Sequence, residues 1–330
     1  MNDRFYGAER FFQVCEQLKW KRVGILGHLR PDGDCLGAQI ALHELLSNVG
    51  ADPVIGLVDD TVVSNLRWLA EDLTLMRPEE MCADEYVFVD CGNKSRAGEF
   101  AKRLGKVILS IDHHLSGEQF AKETFLFPEA AATCEIIADF IDQLDIKISP
   151  KSATALYVGI VTDTGKFSYS STTAKTLYLA SKLIQWGADP HEVFVQIYQN
   201  EPRAKFALLQ RFLASLKFYE NDTICIGNVT DEDYQATGTS SEDTDGFVNY
   251  PRSIAGVRIA VIAYHRDGKT RLSLRTDEPE LRLDCLAGKF HGGGHACASA
   301  FTVNDRYENF ECAFINALQA HMKLFSGSHV

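Results

Sequence analysis

The sequence predicts an α/β protein, with a mostly parallel N-terminal sheet domain covered by helices on both faces and a smaller α+β domain after it. Short apolar runs at 23–27, 54–58, 86–89 and 107–111 alternate with helical segments, which is typical of a parallel sheet buried between helices. After about residue 217 the pattern changes to hairpins. The length of 330 residues fits two domains at roughly 150 residues each.

Capping and apolar spacing place the first helices. Apolar residues spaced along 36–49 predict one face of a helix that ends at Gly50, and a further helix is expected to start near Asn93. Ser149-Pro150 and Asp189-Pro190 are each a good pair for the start of a helix, and the helix before Trp186 is expected to stop at Gly187.

The C-terminal part predicts two hairpins and two helices. One hairpin spans 217–229 and turns at Asn221-Asp222, and the other pairs 259–264 with 270–275 around Asp267-Gly268. A short helix is expected at 281–289 and a final helix at 307–325. We therefore divide the chain into a catalytic domain at 1–187, a helical connector at 188–216 and a smaller domain at 217–330.

Charge and composition exclude several classes of protein. The net charge of −12 argues against a protein that binds duplex DNA through many phosphate contacts. No apolar run approaches the ~20 residues that span a bilayer, and the first residues lack the apolar stretch of a signal peptide. The nine cysteines include no C-x-x-C pair. We expect a cytoplasmic protein with reduced thiols and no membrane partner.

A small basic excess occurs late in the chain. Between residues 251 and 295 there are eight Lys or Arg against five Asp or Glu. This segment suits a short anionic ligand better than a long duplex.

The strongest functional signal is a set of imidazoles and carboxylates at the predicted ends of strands. His28, Asp32 and Asp34 follow the first strand, Asp90 follows the strand at 86–89, and Asp112-His113-His114 closes the strand at 107–111. Asp163 follows a helix. Ligands of open α/β sheets bind beyond the carboxyl ends of the strands, so we expect these groups to converge.

Such a cluster predicts a site for two divalent cations. Asp32, Asp34, Asp90 and Asp163 would repel one another unless cations lay among them. Imidazole and carboxylate ligands without a thiolate favour Mn²⁺, then Mg²⁺, Fe²⁺ or Zn²⁺. Paired metals are a common device for phosphoryl transfer. Cys35 and Cys91 lie beside these ligands but are expected to be small, semi-buried residues.

The motifs resemble those of the DHH phosphoesterase family. These motifs are His28-x-x-x-Asp32-x-Asp34, the strand end at Asp90, Asp112-His113-His114 and the segment 163–167. The segment Gly292-Gly293-Gly294-His295 resembles the signature of the DHHA1 substrate domain. Together the motifs cover about residues 22–303, and the chain's size resembles the nanoRNase and pAp phosphatase branch. The resemblance implies an active site in the cleft between the two domains.

The resemblance also implies roles for individual residues. His28 and Asp32 would hold one metal and Asp34, His113 and Asp163 the other, with Asp90 bridging both. His114 would lie beside the scissile phosphate as a catalytic residue, while Asp112 would orient the neighbouring histidines. The substrate-binding positions that match the family are Asn249, Arg252, Arg275, Gly293, Gly294 and His295. Ala300 stands where the family usually has Gly.

We expect a two-metal phosphoesterase that hydrolyses very short oligoribonucleotides to mononucleotides, and pAp to AMP. The alternative within the same class is a phosphodiesterase for cyclic di-AMP or linear dinucleotides. An alternative of a different class is a non-catalytic nucleotide sensor, which a missing metal ligand would favour, and none is missing. The sequence leaves the oligomeric state open, with a homodimer as one candidate.

Overall fold

The computed structural model describes residues 4–57, 62, 64–105, 107–114, 119–266 and 268–325. The chain divides into two compact units, Met1–Asn200 and Glu201–Val330. This division falls within the segment 188–216, and the domain boundaries drawn from the sequence stay predictions. None of the helices in the described part of the chain is both long enough and apolar enough to cross a membrane.

The first unit contains a six-stranded parallel sheet with the strand order β3-β2-β1-β4-β5-β6. Its strands are β1 Arg22–Leu26, β2 Asp52–Gly56, β3 Leu75–Met76, β4 Glu85–Val89, β5 Val107–Asp112 and β6 Ala121–Leu126. Its helices are α1 Ala8–Glu16, α2 Gly33–Asn48, α3 Arg67–Ala70, α4 Gly98–Arg103, α5 Thr133–Gln143, α6 Pro150–Asp163, α7 Ala174–Gln185 and α8 Pro190–Tyr198.

Apolar side chains bury both faces of this sheet. One face packs Ile25, Val87 and Leu109 among residues of α2, α5 and α6. The opposite face packs Leu26 and Phe88 against residues of α4 such as Ala101. The mostly parallel, doubly covered α/β fold predicted from the sequence is therefore confirmed.

The main differences from the sequence-based expectation lie at the edges of the sheet. Strand β3 has only two residues, and β6 carries Lys122 and Glu123 within an exposed or half-buried pattern. Strand β3 is too short to give an apolar run, and β6 mixes charged with apolar residues because an edge strand is less enclosed. Val58, the last residue of the expected second strand, lies outside the described residues. Ser149 and Asp189 cap α6 and α8 as expected.

The second unit is a mixed sheet with helices, as predicted for an α+β domain. Its strand order is β11-β12-β10-β9-β8-β7, in which only the β8–β9 pair is parallel. The strands are β7 Lys217–Tyr219, β8 Ile224–Val229, β9 Ile259–Arg266, β10 Lys269–Arg275, β11 Gly293–His295 and β12 Ala298–Val303. The helices are α9 Arg203–Ala214, α10 Asp231–Thr237, α11 Asn249–Arg252, α12 Leu283–Gly288 and α13 Tyr307–Phe325.

Both predicted hairpins and the final helix are present in the second unit. The first hairpin turns through Asn221 and Asp222, which both have positive φ. In the second, Gly268 has φ 72°, while Asp267 lies outside the described residues. Side chains of α12 and α13 cover one face of the sheet, and side chains of α9 and α10 cover the β8–β9 half of the other.

Candidate metal centre

The loop after β1 places an imidazole and two carboxylates at the start of α2. The Nδ1 of His28 donates a hydrogen bond to the Leu29 carbonyl at 2.7 Å, so Nε2 is the ring nitrogen left for a ligand. Asp32 is the N-cap of α2, and its Oδ1 accepts hydrogen bonds from the backbone N–H groups of Asp34 and Cys35. Asp34 follows in the first turn of α2.

The fully buried carboxylate of Asp34 lies at the N-terminus of α5. Its Oδ2 accepts from the Thr133 N–H at 2.7 Å, and its Oδ1 accepts from the Cys134 N–H at 2.8 Å. The unpaired N–H groups of a helix start stabilise an anion in this position. Sequence reasoning missed Thr133, because its contact with Asp34 joins segments about a hundred residues apart.

Asp90 directly follows β4 and is almost fully buried. Its backbone has φ 52°, a left-handed conformation that few residues other than Gly adopt, although Asp does so more readily than most. The Thr133 hydroxyl donates to Asp90 Oδ1 at 3.2 Å. Thr133 therefore holds two carboxylates, Asp34 through its backbone and Asp90 through its side chain.

The end of β5 orients two histidines. Asp112 Oδ1 accepts from the backbone N–H groups of His113 and His114 and lies 2.8 Å from His114 Nδ1. The Nδ1 of His113 donates to the Ala130 carbonyl at 3.2 Å, which leaves its Nε2 free for a ligand. Asp112 is buried, whereas the side chain of His114 is one-third exposed.

The potential ligand atoms form two sets that meet at Asp90. On one side, His28 Nε2 lies 3.3 Å from Asp90 Oδ2 and 3.7 Å from Asp32 Oδ2. On the other, His113 Nε2 lies 3.6 Å from Asp90 Oδ1, 3.2 Å from Asp163 Oδ2 and 3.8 Å from Asp34 Oδ2. Asp163 reaches this set as the last residue of α6. All six residues expected to bind metal thus lie in one cluster.

The cluster concentrates negative charge in a buried place. Burial, reinforced by the charges of Asp90 and Asp163, raises the pKa of Asp34 well above its usual range. Burial also raises the pKa of Asp163, partly offset by a hydrogen bond with His113. Bound cations would relieve this crowding by replacing the protons that these carboxylates otherwise attract.

The same negative charge also raises the pKa values of two histidines. Burial alone would lower the pKa of His28, but hydrogen bonds with Asp32 and Asp90 outweigh it and raise the pKa to about 10. For His113, Asp163, Asp34 and Asp90 outweigh burial and likewise raise the pKa to about 10. Both rings therefore sit in a strongly negative potential that favours a cation.

The donor set fits divalent metal ions. His28 with Asp90, and His113 with Asp34 and Asp163, offer ligand atoms within 4.8 Å of one another. The Cys35 sulfur also lies within this distance of His28 and Asp90, yet burial raises the pKa of its thiol well above the usual range. A neutral thiol is a poor ligand, so the oxygen and nitrogen donors define the site. His114 can approach Asp90 too, at 3.4 Å.

The expected substrate residues all lie in the second unit. Arg252 and Arg275 are half-buried, and Arg252 lies 3.5 Å from Asp277. Burial chiefly lowers the pKa of Arg275, with Arg252 and Arg271 contributing, so these cations are neighbours. Gly293, Gly294 and His295 form β11, where His295 and Arg275 flank Ala298 in the sheet. Asn249 is exposed at the start of α11.

Several curated proteins are similar to most of this chain. Over 86% of the chain, it is 28% identical to a probable bifunctional oligoribonuclease and PAP phosphatase NrnA from Streptococcus mutans, of which 89% is covered. It is 26% identical to the bifunctional oligoribonuclease and PAP phosphatase NrnA of Thermus thermophilus, with 89% of each chain covered.

Solved structures share the fold of this chain. An exopolyphosphatase-related protein from Bacteroides fragilis is 25% identical over 99% of both chains, with a TM-score of 0.88. The exonuclease RecJ bound to manganese shares the fold at 15% identity and a TM-score of 0.55, over 97% of this chain and 95% of that one. Residues 22–160 match the DHH family N-terminal domain and residues 222–323 the DHHA1 domain, and the chain therefore belongs to the DHH family, in its form with a C-terminal DHHA1 domain.

Proposed function

We propose that this protein is a metal-dependent phosphoesterase that hydrolyses very short oligoribonucleotides to mononucleotides and pAp to AMP. The observation that carries the proposal is the position of Asp90, whose two oxygens each face a separate histidine–carboxylate set. Relatives named bifunctional oligoribonuclease and PAP phosphatase support the choice of substrate.

Six residues would hold two divalent cations, for which we propose Mn²⁺. His28 and Asp32 would bind one, Asp34, His113 and Asp163 the other, and Asp90 both. When bound, such ions supply Lewis acidity at a phosphoryl oxygen and activate water at neutral pH. The crystal structure of RecJ with manganese supports the choice of metal through the shared fold alone.

The chain's own groups prepare the site for this chemistry. The backbone carbonyls of Leu29 and Ala130 fix the tautomers of His28 and His113, so that each presents Nε2 to the carboxylates. Asp112 Oδ1 accepts a hydrogen bond from the Nδ1–H of His114. His114 then has Nε2 available to bind the phosphate or, when protonated, to donate a proton to the leaving oxygen.

The second unit would bind the substrate. Its half-buried Arg252 and Arg275 suit phosphate, because an arginine can donate two parallel hydrogen bonds to it. The exposed imidazole of His295 can add a further hydrogen bond. Asn249, Gly293 and Gly294 would complete the contacts, the glycines by letting backbone N–H groups approach an anion.

A substrate panel with the purified protein and Mn²⁺ tests the proposal. We expect turnover of pAp and of RNA dinucleotides, and slower turnover of cyclic di-AMP. Asp90→Asn should lower kcat by at least about a hundredfold, because it weakens a ligand shared by both ions. Asp72→Asn, at an exposed carboxylate, is the matched control and should retain activity.

Three outcomes would each contradict a part of the proposal. Preferred cleavage of cyclic di-AMP would make the protein a cyclic dinucleotide phosphodiesterase. Binding of nucleotides without turnover of any substrate would make it a sensor. If Asp90→Asn kept wild-type turnover, the assignment of the two metal sites would be wrong.

A further inference from the structure

One half of the second sheet has an open face lined with cations. Along β12, Ala298, Ala300 and Thr302 are exposed or half-buried, while the two residues between them, Ser299 and Phe301, are buried. The buried side chain of Phe301 packs with residues of α12 and α13 on one face of the sheet. On the opposite face, residues of α9 and α10 contact residues of β8 and β9. Within this unit, the β11 and β12 part of this face is therefore accessible, and on β10 Arg271 is exposed and Arg275 half-buried, with the buried Ser273 between them.

The strand register arranges this face in three rows. Residues directly opposite one another in an antiparallel sheet share a face. The middle row is Gly293–Ala300–Ser273, one flanking row is His295–Ala298–Arg275, and the other is Thr302–Arg271–Tyr264.

The middle row is a floor of small side chains. A Cβ atom at Gly293 would meet no heavy atom within 4 Å, and its φ is not positive, so packing in this unit does not require glycine there. By contrast, a Cβ at Gly294 would lie 2.4 Å from the Ala298 carbonyl oxygen. The absence of a side chain at Gly293 therefore leaves the surface of this row open to a bound ligand.

Two cations on β10 border this floor. Arg271 and Arg275 are four residues apart on the same face, with Ser273 between them, so their Cα atoms are separated by about 13 Å. Their long, flexible side chains can lean toward the floor from opposite sides. The span between the guanidinium groups therefore suits two anionic groups held by one small molecule.

These arginines carry charge that no carboxylate neutralises at short range. Among the described residues, no Asp or Glu oxygen lies within 4.0 Å of the guanidinium of Arg271, and Arg275 donates to the carbonyl of Leu274 at 2.9 Å. Asp245 is close enough to act on Arg275 electrostatically, but forms no ion pair with it. Two arginines on one face of the sheet with no described carboxylate within ion-pair distance suit an anionic ligand.

We propose that Arg271 binds a second phosphate of the substrate, while Arg275 and His295 bind the first, with the sugar and base lying over the small-residue floor. This selects ligands with two separated phosphates, such as a 5′-phosphorylated dinucleotide or a nucleoside bisphosphate. The inference rests on the proposed function, and it adds a specificity residue that the family motifs did not single out.

The test compares RNA dinucleotides that differ only in a 5′-phosphate. Arg271→Gln should lower kcat/KM roughly ten- to a hundredfold for the 5′-phosphorylated dinucleotide, as expected for a lost charge-assisted hydrogen bond. It should leave kcat/KM for the 5′-hydroxyl dinucleotide near the wild-type value. Arg271→Lys should recover part of the loss. Lys269→Gln is the matched control, because Lys269 is exposed on the same strand one row beyond Arg271. This variant should leave kcat/KM for both dinucleotides near the wild-type value.

An equal effect of Arg271→Gln on both dinucleotides, or no effect on either, would overturn the inference. The same two dinucleotides are also titrated without turnover, in Ca²⁺, to measure affinity. If the wild-type protein hydrolyses neither dinucleotide, the proposed function fails, but the titration still tests whether Arg271 binds the 5′-phosphate. A loss of phosphate-dependent affinity in Arg271→Gln then supports the role of Arg271, and unchanged affinity refutes it.

Discussion

At the scale of single residues, Thr133 connects two carboxylates of the metal centre. Its backbone N–H donates to Asp34 and its hydroxyl donates to Asp90, and its side chain is fully buried. Loss of a group that orients metal ligands in this way typically costs about 10- to 100-fold in metal affinity or activity. Thr133 is therefore a positioning residue for the proposed metal site.

Thr133→Val should weaken Mn²⁺ binding roughly tenfold, because it removes the hydroxyl contact with Asp90 while keeping the shape and the backbone N–H. Thr133→Ser should bind Mn²⁺ like the wild type. Calorimetric titration measures the affinity, and excess Mn²⁺ should restore most of the activity of Thr133→Val. A lower melting temperature with unchanged Mn²⁺ affinity would show that the hydroxyl serves only the fold.

At the scale of elements, the close contact of α2 with α6 sets the distance between two ligands. α2 carries Asp34 in its first turn and α6 ends on Asp163. The two helices approach closely at Gly37, where a Cβ atom would lie 2.3 Å from the Ala155 carbonyl oxygen. Because a backbone atom cannot yield as a side chain can, any larger residue at position 37 must separate the helices.

Gly37→Ala should destabilise the protein by about 1–3 kcal/mol through this overpacking, and should also lower Mn²⁺ affinity by moving Asp34 away from Asp163. Urea unfolding and calorimetry measure the two effects. Gly105→Ala is the control, since a Cβ there meets nothing within 4 Å, and its stability should stay within about 0.5 kcal/mol of the wild type. Equal stability of both variants would contradict the tight helix contact.

At the scale of the whole molecule, charge should limit substrate length. The net charge of −12 contrasts with a basic excess confined to residues 251–295. A dinucleotide can meet this basic segment alone, whereas a longer strand must extend over surface that is acidic on average. Repulsion between like charges then disfavours the long substrate.

We expect kcat/KM to fall steeply between an RNA dinucleotide and a strand of about 24 nucleotides, and the difference to narrow as salt screens the repulsion. Steady-state kinetics on both RNAs at low and high ionic strength measure this. Equal kcat/KM values at low salt would indicate a processive exonuclease instead.

The sequence by itself determined the parallel α/β fold, the later α+β fold and the convergence of the metal-binding candidates. The reason is local: apolar runs of strand length are followed at once by Asp90, by Asp112-His113-His114 and by the segment that holds His28. Because parallel strands all end at the same edge of a sheet, residues that follow strands must meet there. Contacts between distant segments of the chain were not needed to predict this convergence.

Only the tertiary structure decided which groups support that site and which side chains share the open face of the second sheet. Thr133 meets Asp34 across 99 positions of the sequence, and Arg271 lies beside Tyr264 and Thr302 through strand register. The edge pairings of the two-residue β3 and the partly charged β6 were missed for the same reason. Such pairings depend on how whole elements pack and align, since a shift of one residue would turn every side chain of a strand to the other face.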